Sequence, residues 1–164
     1  MKATFLMFVA LLLMIAGGFY SCGMNDGNNT MPDGVIAYGQ DGTPLSKDSK
    51  WKSVGVVDVE TGVMTILEPT DCEKCYTLTF ETDHTFSTNS SSNDLGGKYI
   101  INNSTHNFRV LSFGGTKINE IGNGNLYVTP FWDKSIQSFS LQKNELRLYY
   151  NDKKSYILFK SLEL

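Results

Sequence analysis

From Trp51 onward, apolar and polar residues alternate with a period of two in short runs that turn residues separate. In one such run Tyr76, Leu78 and Phe80 alternate with threonines. Successive side chains of a strand point to opposite faces, so this pattern predicts a half-buried β-strand. The pattern recurs about eight times, which predicts a β-dominated domain with at most one short helix. Such a chain avoids exposed edges by closing into a single small antiparallel barrel or a strongly coiled sheet.

The segment from Asn125 to Ser135 departs from this period and contains Pro130. Proline is tolerated in the first turn of a helix, so a short helix beginning near Pro130 is one interpretation, and an aromatic lid loop is the other. The predicted strands are Trp51–Asp58, Val63–Leu67, Tyr76–Glu81, Thr85–Ser87, Lys98–Ile101, Phe108–Phe113, Gln137–Leu141, Glu145–Tyr150 and Ser155–Leu162.

The N-terminus has the pattern of an export signal. Lys2 precedes an almost wholly apolar run from Ala3 to Ala16, and small residues lead to Cys22. The run is too short to span a bilayer comfortably and is typical of a secretory signal. Cys22 stands where a bacterial lipoprotein carries its lipid, although Phe19 and Tyr20 depart from the usual lipobox. We therefore predict a signal peptide over residues 1–21 and lipidation at Cys22.

Residues 22–50 are rich in Gly, Asn, Asp, Ser and Pro, with few large apolar side chains. Such a composition buries too little surface to offset chain entropy, so it predicts a flexible tether. One apolar island, Val35–Tyr38, either docks on the domain or belongs to the tether. The folded β domain is then expected over residues 51–164, held by its lipid at the outer membrane or periplasmic face of the cell envelope.

The three cysteines fit this interpretation. If Cys22 carries lipid, Cys72 and Cys75 remain as a pair, and a local disulfide clamping the turn before the next strand is favoured. A zinc site completed by His84 and His106 is an alternative, as is a thiol-redox pair. A redox pair would be expected to open a helix, whereas these cysteines precede a strand.

Neither a catalytic set nor a cofactor motif is evident, so we expect a protein that is not an enzyme and has no cofactor or metal. There is no G-x-S-x-G elbow, and two histidines leave few choices for a base. The net charge of -3, with no basic cluster, argues against nucleic acid as a partner.

Three aromatic residues, Tyr127, Phe131 and Trp132, lie on the segment that is not a predicted strand. They either plug one end of the barrel or form a ligand pocket or contact patch. Other aromatic residues fit core-facing strand positions: Trp51, Phe80, Phe86, Tyr99, Phe108, Phe139, Tyr149, Tyr150, Tyr156 and Phe159.

The order of these signals from Trp51 to Leu162 resembles the META domain, a small β-rich fold of bacterial envelope lipoproteins. Ser92 stands where that family has a cysteine, and Thr116 alone matches its A-x-T-x-M-x-C stretch. The resemblance implies a non-enzymatic envelope protein. It is carried by Trp51–Val54, Thr77–Phe80, His84–Ser87, Ser92–Tyr99 and Glu145–Leu148.

The sequence therefore predicts a lipid-anchored envelope domain with a binding or structural role, whose partners are the membrane and another envelope protein or a small apolar ligand. Two alternatives remain open. The first is a lipocalin-like carrier with an apolar ligand in the barrel mouth near Phe131 and Trp132. The second is thiol redox at Cys72 and Cys75.

Overall fold

The structure is a computed structural model that describes residues 31–82 and 84–162. Within those residues it has eleven strands and one helix: β1 Val35–Tyr38, β2 Pro44–Ser46, β3 Lys50–Asp58, β4 Met64–Thr65, β5 Thr77–Phe80, β6 Thr85–Asn89, β7 Asp94–Asn102, β8 Asn107–Gly115, α1 Asn125–Trp132, β9 Ser138–Gln142, β10 Glu145–Tyr150 and β11 Ser155–Ser161.

Eight of these strands form a closed antiparallel ring. Neighbours pair in the order β3, β5, β6, β7, β8, β9, β10 and β11, and β11 pairs back with β3 from Ser155 opposite Asp58 to Ser161 opposite Trp51. Closure gives each strand of the ring two partners and so removes exposed edges. The predicted β-dominated barrel is therefore confirmed. The predicted strand Val63–Leu67 is shorter than expected, because only Met64 and Thr65 pair, with β3.

The weakest seam of the ring joins β8 to β9. Asn107 and Ser138 form the single register pair there. Beyond that pair the two strands diverge, and α1 packs beside β8, where the rings of Phe113 and Phe131 stack with centroids 5.3 Å apart. The connection between β8 and β9 thus supplies a helix where direct strand pairing is missing.

The barrel interior is filled by aromatic and aliphatic side chains that alternate along each strand. Phe80, Tyr99 and Phe108 are fully buried, and the ring of Tyr99 stacks on that of Phe108 at 5.0 Å. Seven of the aromatic residues predicted for the core are buried. The prediction was wrong for Tyr149 and Tyr156, which are half-exposed because Leu148 and Ile157 occupy the inward positions beside them. Tyr150 is also half-exposed and packs at the margin of the core.

The hairpin β1–β2 closes the end of the barrel at which β3 begins. Ala37 and Leu45 are buried in the same core as the barrel strands, and the Tyr38 N–H donates to Asn103 Oδ1 at 2.6 Å. Gly39 permits the approach, since a Cβ there would lie 2.0 Å from the Leu141 carbonyl oxygen. The predicted tether over residues 22–50 is therefore corrected for 31–50: the apolar island docks, and the folded unit begins before Trp51.

The helix also differs from its prediction. It begins at Asn125 rather than near Pro130, so the proline lies inside the helix. The proline has no N–H to donate to the turn before it, but the helix ends two residues later at Trp132, and few bonds depend on that position. Burial of Tyr127, Val128 and Phe131 holds this short helix in place.

Candidate binding site at the helix end of the barrel

We call the end of the barrel that carries α1 the helix end. It gathers the loop Cys72–Cys75 before β5, the loop Ser90–Asn93 between β6 and β7, and the segment 116–124 that leads from β8 into α1. Antiparallel neighbours alternate in direction, so these three connections meet at one rim. The hairpin β1–β2 covers the opposite end.

A partly buried polar network joins two of these connections. The Asn93 side chain accepts from the Ile118 N–H at 2.7 Å and donates to the Ile118 carbonyl at 2.7 Å and to Glu120 Oε1 at 2.6 Å. Ser90 Oγ also donates to Glu120 Oε1 at 2.6 Å, and the Ser91 N–H donates to Glu120 Oε2 at 3.1 Å. The network fixes the segment that leads into the helix.

The same bonds decide the ionisation of Glu120. Burial opposes its charged form, but the hydrogen bonds from Ser90, Ser91 and Asn93 outweigh burial and lower the pKa of Glu120 below its ordinary value. Ser91 Oγ donates to this carboxylate at 2.5 Å. A carboxylate with a lowered pKa is a weak base, so it does little to activate the serine hydroxyl.

Tyr127 fastens the helix to the barrel. Its ring is fully buried, and its hydroxyl lies 2.6 Å from Thr88 Oγ1 and donates to the Thr77 carbonyl at 3.3 Å. Burial raises the pKa of Tyr127 above its ordinary value, so the phenol stays neutral. Tyr127 thus occupies the plug position that was one of its two predicted roles.

Phe131 lies one helical turn further along and is also fully buried. Its ring contacts those of Phe86, Phe113 and Tyr127 at centroid distances of 5.6, 5.3 and 5.6 Å. An apolar ligand in the barrel mouth would need the space that these rings fill. These rings fill the space beside Phe131, which is part of the place where the lipocalin-like carrier hypothesis expected its ligand.

Trp132 differs from both neighbours because 41% of its surface is exposed. The indole packs on Phe113, with ring centroids 4.9 Å apart and ring planes at 77°. Clefts flank α1 on both sides, one of about 370 Å³ that includes Tyr150 and one of about 290 Å³ that includes Trp132. Of the three predicted aromatic residues, Tyr127 and Phe131 thus plug the end of the barrel, and Trp132 lies at the surface.

Cys72 and Cys75 are joined by a disulfide in the loop before β5. Lys52 Nζ donates to the carbonyl oxygens of Cys72, Glu73 and Cys75 at 2.6, 3.1 and 2.5 Å. Burial lowers the pKa of Lys52, and the charge of Glu73 opposes that shift. The loop is therefore clamped twice, by the disulfide and by an ammonium group bound to its carbonyls.

The two histidines lie away from this rim. His106 is in the turn between β7 and β8, where its ring packs on Phe139 at 5.4 Å, and His84 is in the turn between β5 and β6. Those turns lie at the hairpin-capped end, opposite the cysteine loop. In residues 31–82 and 84–162, no three His, Cys, Asp or Glu side chains converge in a metal-binding arrangement.

The predicted signal peptide, residues 1–21, and the predicted lipidation site Cys22 lie outside the described residues, so the structure says nothing of either. Within the described part, no helix combines the length and apolar character needed to cross a bilayer.

Sequence reasoning missed the network around Glu120. Its one visible signal is the polar run Asn89–Asp94, in which Ser90, Ser91 and Asn93 donate hydrogen bonds to a carboxylate distant in sequence. The sequence also did not predict which of the three aromatic residues is exposed, because each of them is a large side chain that a core can hold.

Comparisons with known proteins identify no family, since no family model matches the chain. A Tannerella forsythia protein named "Putative lipoprotein" is 29% identical over 114 residues, which cover 68% of this chain and 72% of that protein. The resemblance to the META domain stays a likeness of short motifs.

Two solved structures share the fold. A Burkholderia xenovorans protein determined by NMR has a TM-score of 0.57 at 17% identity, covering 72% of this chain and 84% of its own. A crystal structure of a DUF4847 family protein from Bacteroides vulgatus has a TM-score of 0.52 at 16% identity, covering 69% and 92%. At these identities the likeness shows the fold alone.

Proposed function

We propose that this chain is a lipid-anchored protein of the bacterial cell envelope whose β domain acts by binding and carries out no reaction. The observation that carries the proposal is the apolar leader that ends in small residues at Cys22. The relative named as a lipoprotein supports the same assignment. The motifs that resemble the META domain agree with it.

The geometry of the helix end supports a role without catalysis. Ser91 is the hydroxyl closest to a catalytic arrangement, but its partner Glu120 has a lowered pKa and is held by three other donors. Both histidines lie in turns at the opposite end, so neither can serve Ser91 as a general base.

Binding is assigned to the helix end because of Trp132. A large aromatic side chain left exposed on a rigid frame is a common feature of recognition surfaces. In this proposal the membrane is one partner, bound through the lipid on Cys22. The helix end is then available to a second partner.

The anchor is tested by fractionating cells that express the full chain or Cys22→Ala. We expect the full chain in the membrane fraction, with mass spectrometry showing a processed N-terminus that carries lipid on Cys22. We expect Cys22→Ala to leave that fraction. Cys72→Ala is the control, since it removes a cysteine but should stay membrane-bound. An unmodified, unprocessed N-terminus would overturn the assignment.

The absence of catalysis is tested with ester, peptide and glycoside substrates on the purified lipidated protein. We expect no turnover above background. Turnover of any of these that disappears in Ser91→Ala would show an enzyme and contradict the proposal.

A further inference from the structure

Trp132 forms an exposed aromatic platform that packs on the barrel core. The chain has two tryptophans, and Trp51 is only 3% exposed whereas Trp132 is 41% exposed. Phe113 packs against the indole with ring planes at 77°, and it stacks on Phe131, which is fully buried. Phe113 and Phe131 thus link the exposed indole to the barrel core. A platform already in its binding position loses little entropy when a ligand stacks on it.

The cleft beside this platform is mainly polar. It measures about 290 Å³, and the buried side chains of Leu95 and Val128 form its apolar floor. Around the floor lie the side chains of Lys117, Asn119, Asn125 and Thr129. Within the described residues, none of these four makes a side-chain hydrogen bond, so their donors and acceptors face the cleft or solvent.

Hydrogen bonds hold part of the remaining wall of the cleft. Asn93 and Glu120 both border it, and the hydrogen bonds of the network described above hold their side chains in place. The cleft therefore combines a hydrogen-bonded wall, an aromatic side chain, and amide and hydroxyl groups that have no side-chain hydrogen bond within the described residues. An amide offers two donors and an acceptor, and a hydroxyl offers a donor and two acceptor positions.

We propose that this cleft binds one pyranose ring of a glycan. The apolar C–H face of a pyranose would stack on the Trp132 indole, and its hydroxyls would exchange hydrogen bonds with Asn119, Asn125 and Thr129. A purely apolar ligand would leave these polar groups unpaired at a cost. A nucleotide phosphate would find a single cation, Lys117, in the lining. The inference rests on the proposed binding function and names its ligand class.

The direct test follows tryptophan emission of the full-length lipidated protein in micelles of a detergent that contains no sugar. The probes are maltotriose, cellotriose, mannotriose and chitotriose, extended by an array of bacterial surface glycans. We expect at least one glycan to bind, with a saturable emission change that arises from Trp132 because Trp51 is buried. Failure of every trisaccharide and every array glycan to bind would overturn the proposal.

Variants separate stacking from a general effect on folding. With the glycan that binds, we expect Trp132→Ala to weaken affinity at least about tenfold and Trp132→Phe to weaken it less, because a smaller ring still stacks. Asn119→Ala should weaken affinity about fivefold, as expected for one hydrogen bond. Val63→Ala is the control, because that side chain is 63% exposed and lines neither cleft.

Calorimetry measures these affinities, since Trp132 variants lose the emission signal, and thermal melts show which variants are folded. Wild-type affinity in a folded Trp132→Ala would overturn the sugar site. A chain that remains membrane-bound through Cys22 but binds none of the glycans would refute the sugar site and leave the proposed function intact. Hydrolysis of a glycan probe would instead refute the non-catalytic function.

Discussion

The Asn93 carboxamide lies 2.6 Å from the Glu120 carboxylate, and this contact links the β6–β7 loop to the segment that leads into the helix. Both residues border the Trp132 cleft. The shape of the cleft therefore depends on a half-buried charge held by hydrogen-bond donors, and not on loop packing alone.

We predict that Glu120→Gln destabilises the fold by about 1–3 kcal/mol, because an amide offers one acceptor oxygen where several donors converge. Urea denaturation at neutral pH measures the difference. Glu60→Gln, an exposed acid in the β3–β4 turn, should change stability by less than about 0.5 kcal/mol. Equal effects of the two substitutions would contradict the role assigned to the network.

Acidification should reveal the same interaction. The pKa of Glu120 is lower in the folded state than its ordinary value of 4.5, so its contribution is fully present above that value. It is lost as the pH falls through the lowered folded-state pKa. We expect the stability of the wild type to fall more steeply below pH 4.5 than that of Glu120→Gln. Parallel pH profiles would show that the carboxylate contributes nothing.

Lys52 and Lys50 provide a matched pair for the cysteine loop, since they lie two residues apart on β3 and line the same groove. Lys52→Met should cost about 1–2 kcal/mol, because the loop carbonyls lose their donor. Lys50→Met should cost much less, since within the described residues its ammonium makes no hydrogen bond. Thermal melts compare the two variants, and hydrogen exchange at the loop 72–75 should accelerate only in Lys52→Met. Equal destabilisation of the two variants would contradict the proposed role of Lys52 in holding the loop.

The period-two pattern predicted the barrel because strand burial repeats locally along the chain, and no long-range information is needed to see it. The same pattern would have placed Tyr149 and Tyr156 outside, since they flank the inward Leu148 and Ile157. The prediction that these two tyrosines lie in the core rests on their aromatic type instead of on the alternation. The network around Glu120 could not be predicted, because it joins Ser90 to a carboxylate 30 residues away through side-chain geometry alone.

The β1–β2 hairpin was missed for a related reason. Its composition is that of a tether, and its docking depends on the absence of a Cβ at Gly39 beside the Leu141 carbonyl. Gly42, with φ of 82°, allows the turn that brings Leu45 back to the core. The docking of this segment thus depends on Leu141, which lies 102 positions after Gly39.

We therefore expect Leu45→Ala to destabilise the barrel by about 2–5 kcal/mol, as for a buried leucine, although it lies in the predicted tether. Lys47→Ala, an exposed neighbour, is the control and should be close to neutral. Urea denaturation again provides the measurement. A chain that begins at Trp51 should fail to give the cooperative transition of one that begins at Met31. If the shorter chain melts at the same temperature, the hairpin is not part of the folded unit.

Two side chains of α1, one buried and one exposed, test whether the helix plugs the barrel. Phe131→Ala should cost about 3–5 kcal/mol, because the ring is fully buried among Phe86, Phe113 and Tyr127 and its removal leaves a cavity. Leu126→Ala changes a side chain that is 42% exposed, and should cost less than about 0.5 kcal/mol.

Denaturation of both variants, together with binding of a small apolar dye, distinguishes the plug from a carrier. A plug predicts a destabilised Phe131→Ala in which the dye gains a site that the wild type lacks, because the vacated space is apolar. A carrier predicts that the wild type already binds the dye and that Phe131→Ala leaves stability nearly unchanged. The packed rings around Phe131 favour the first result, since a ligand and these side chains cannot occupy the same volume.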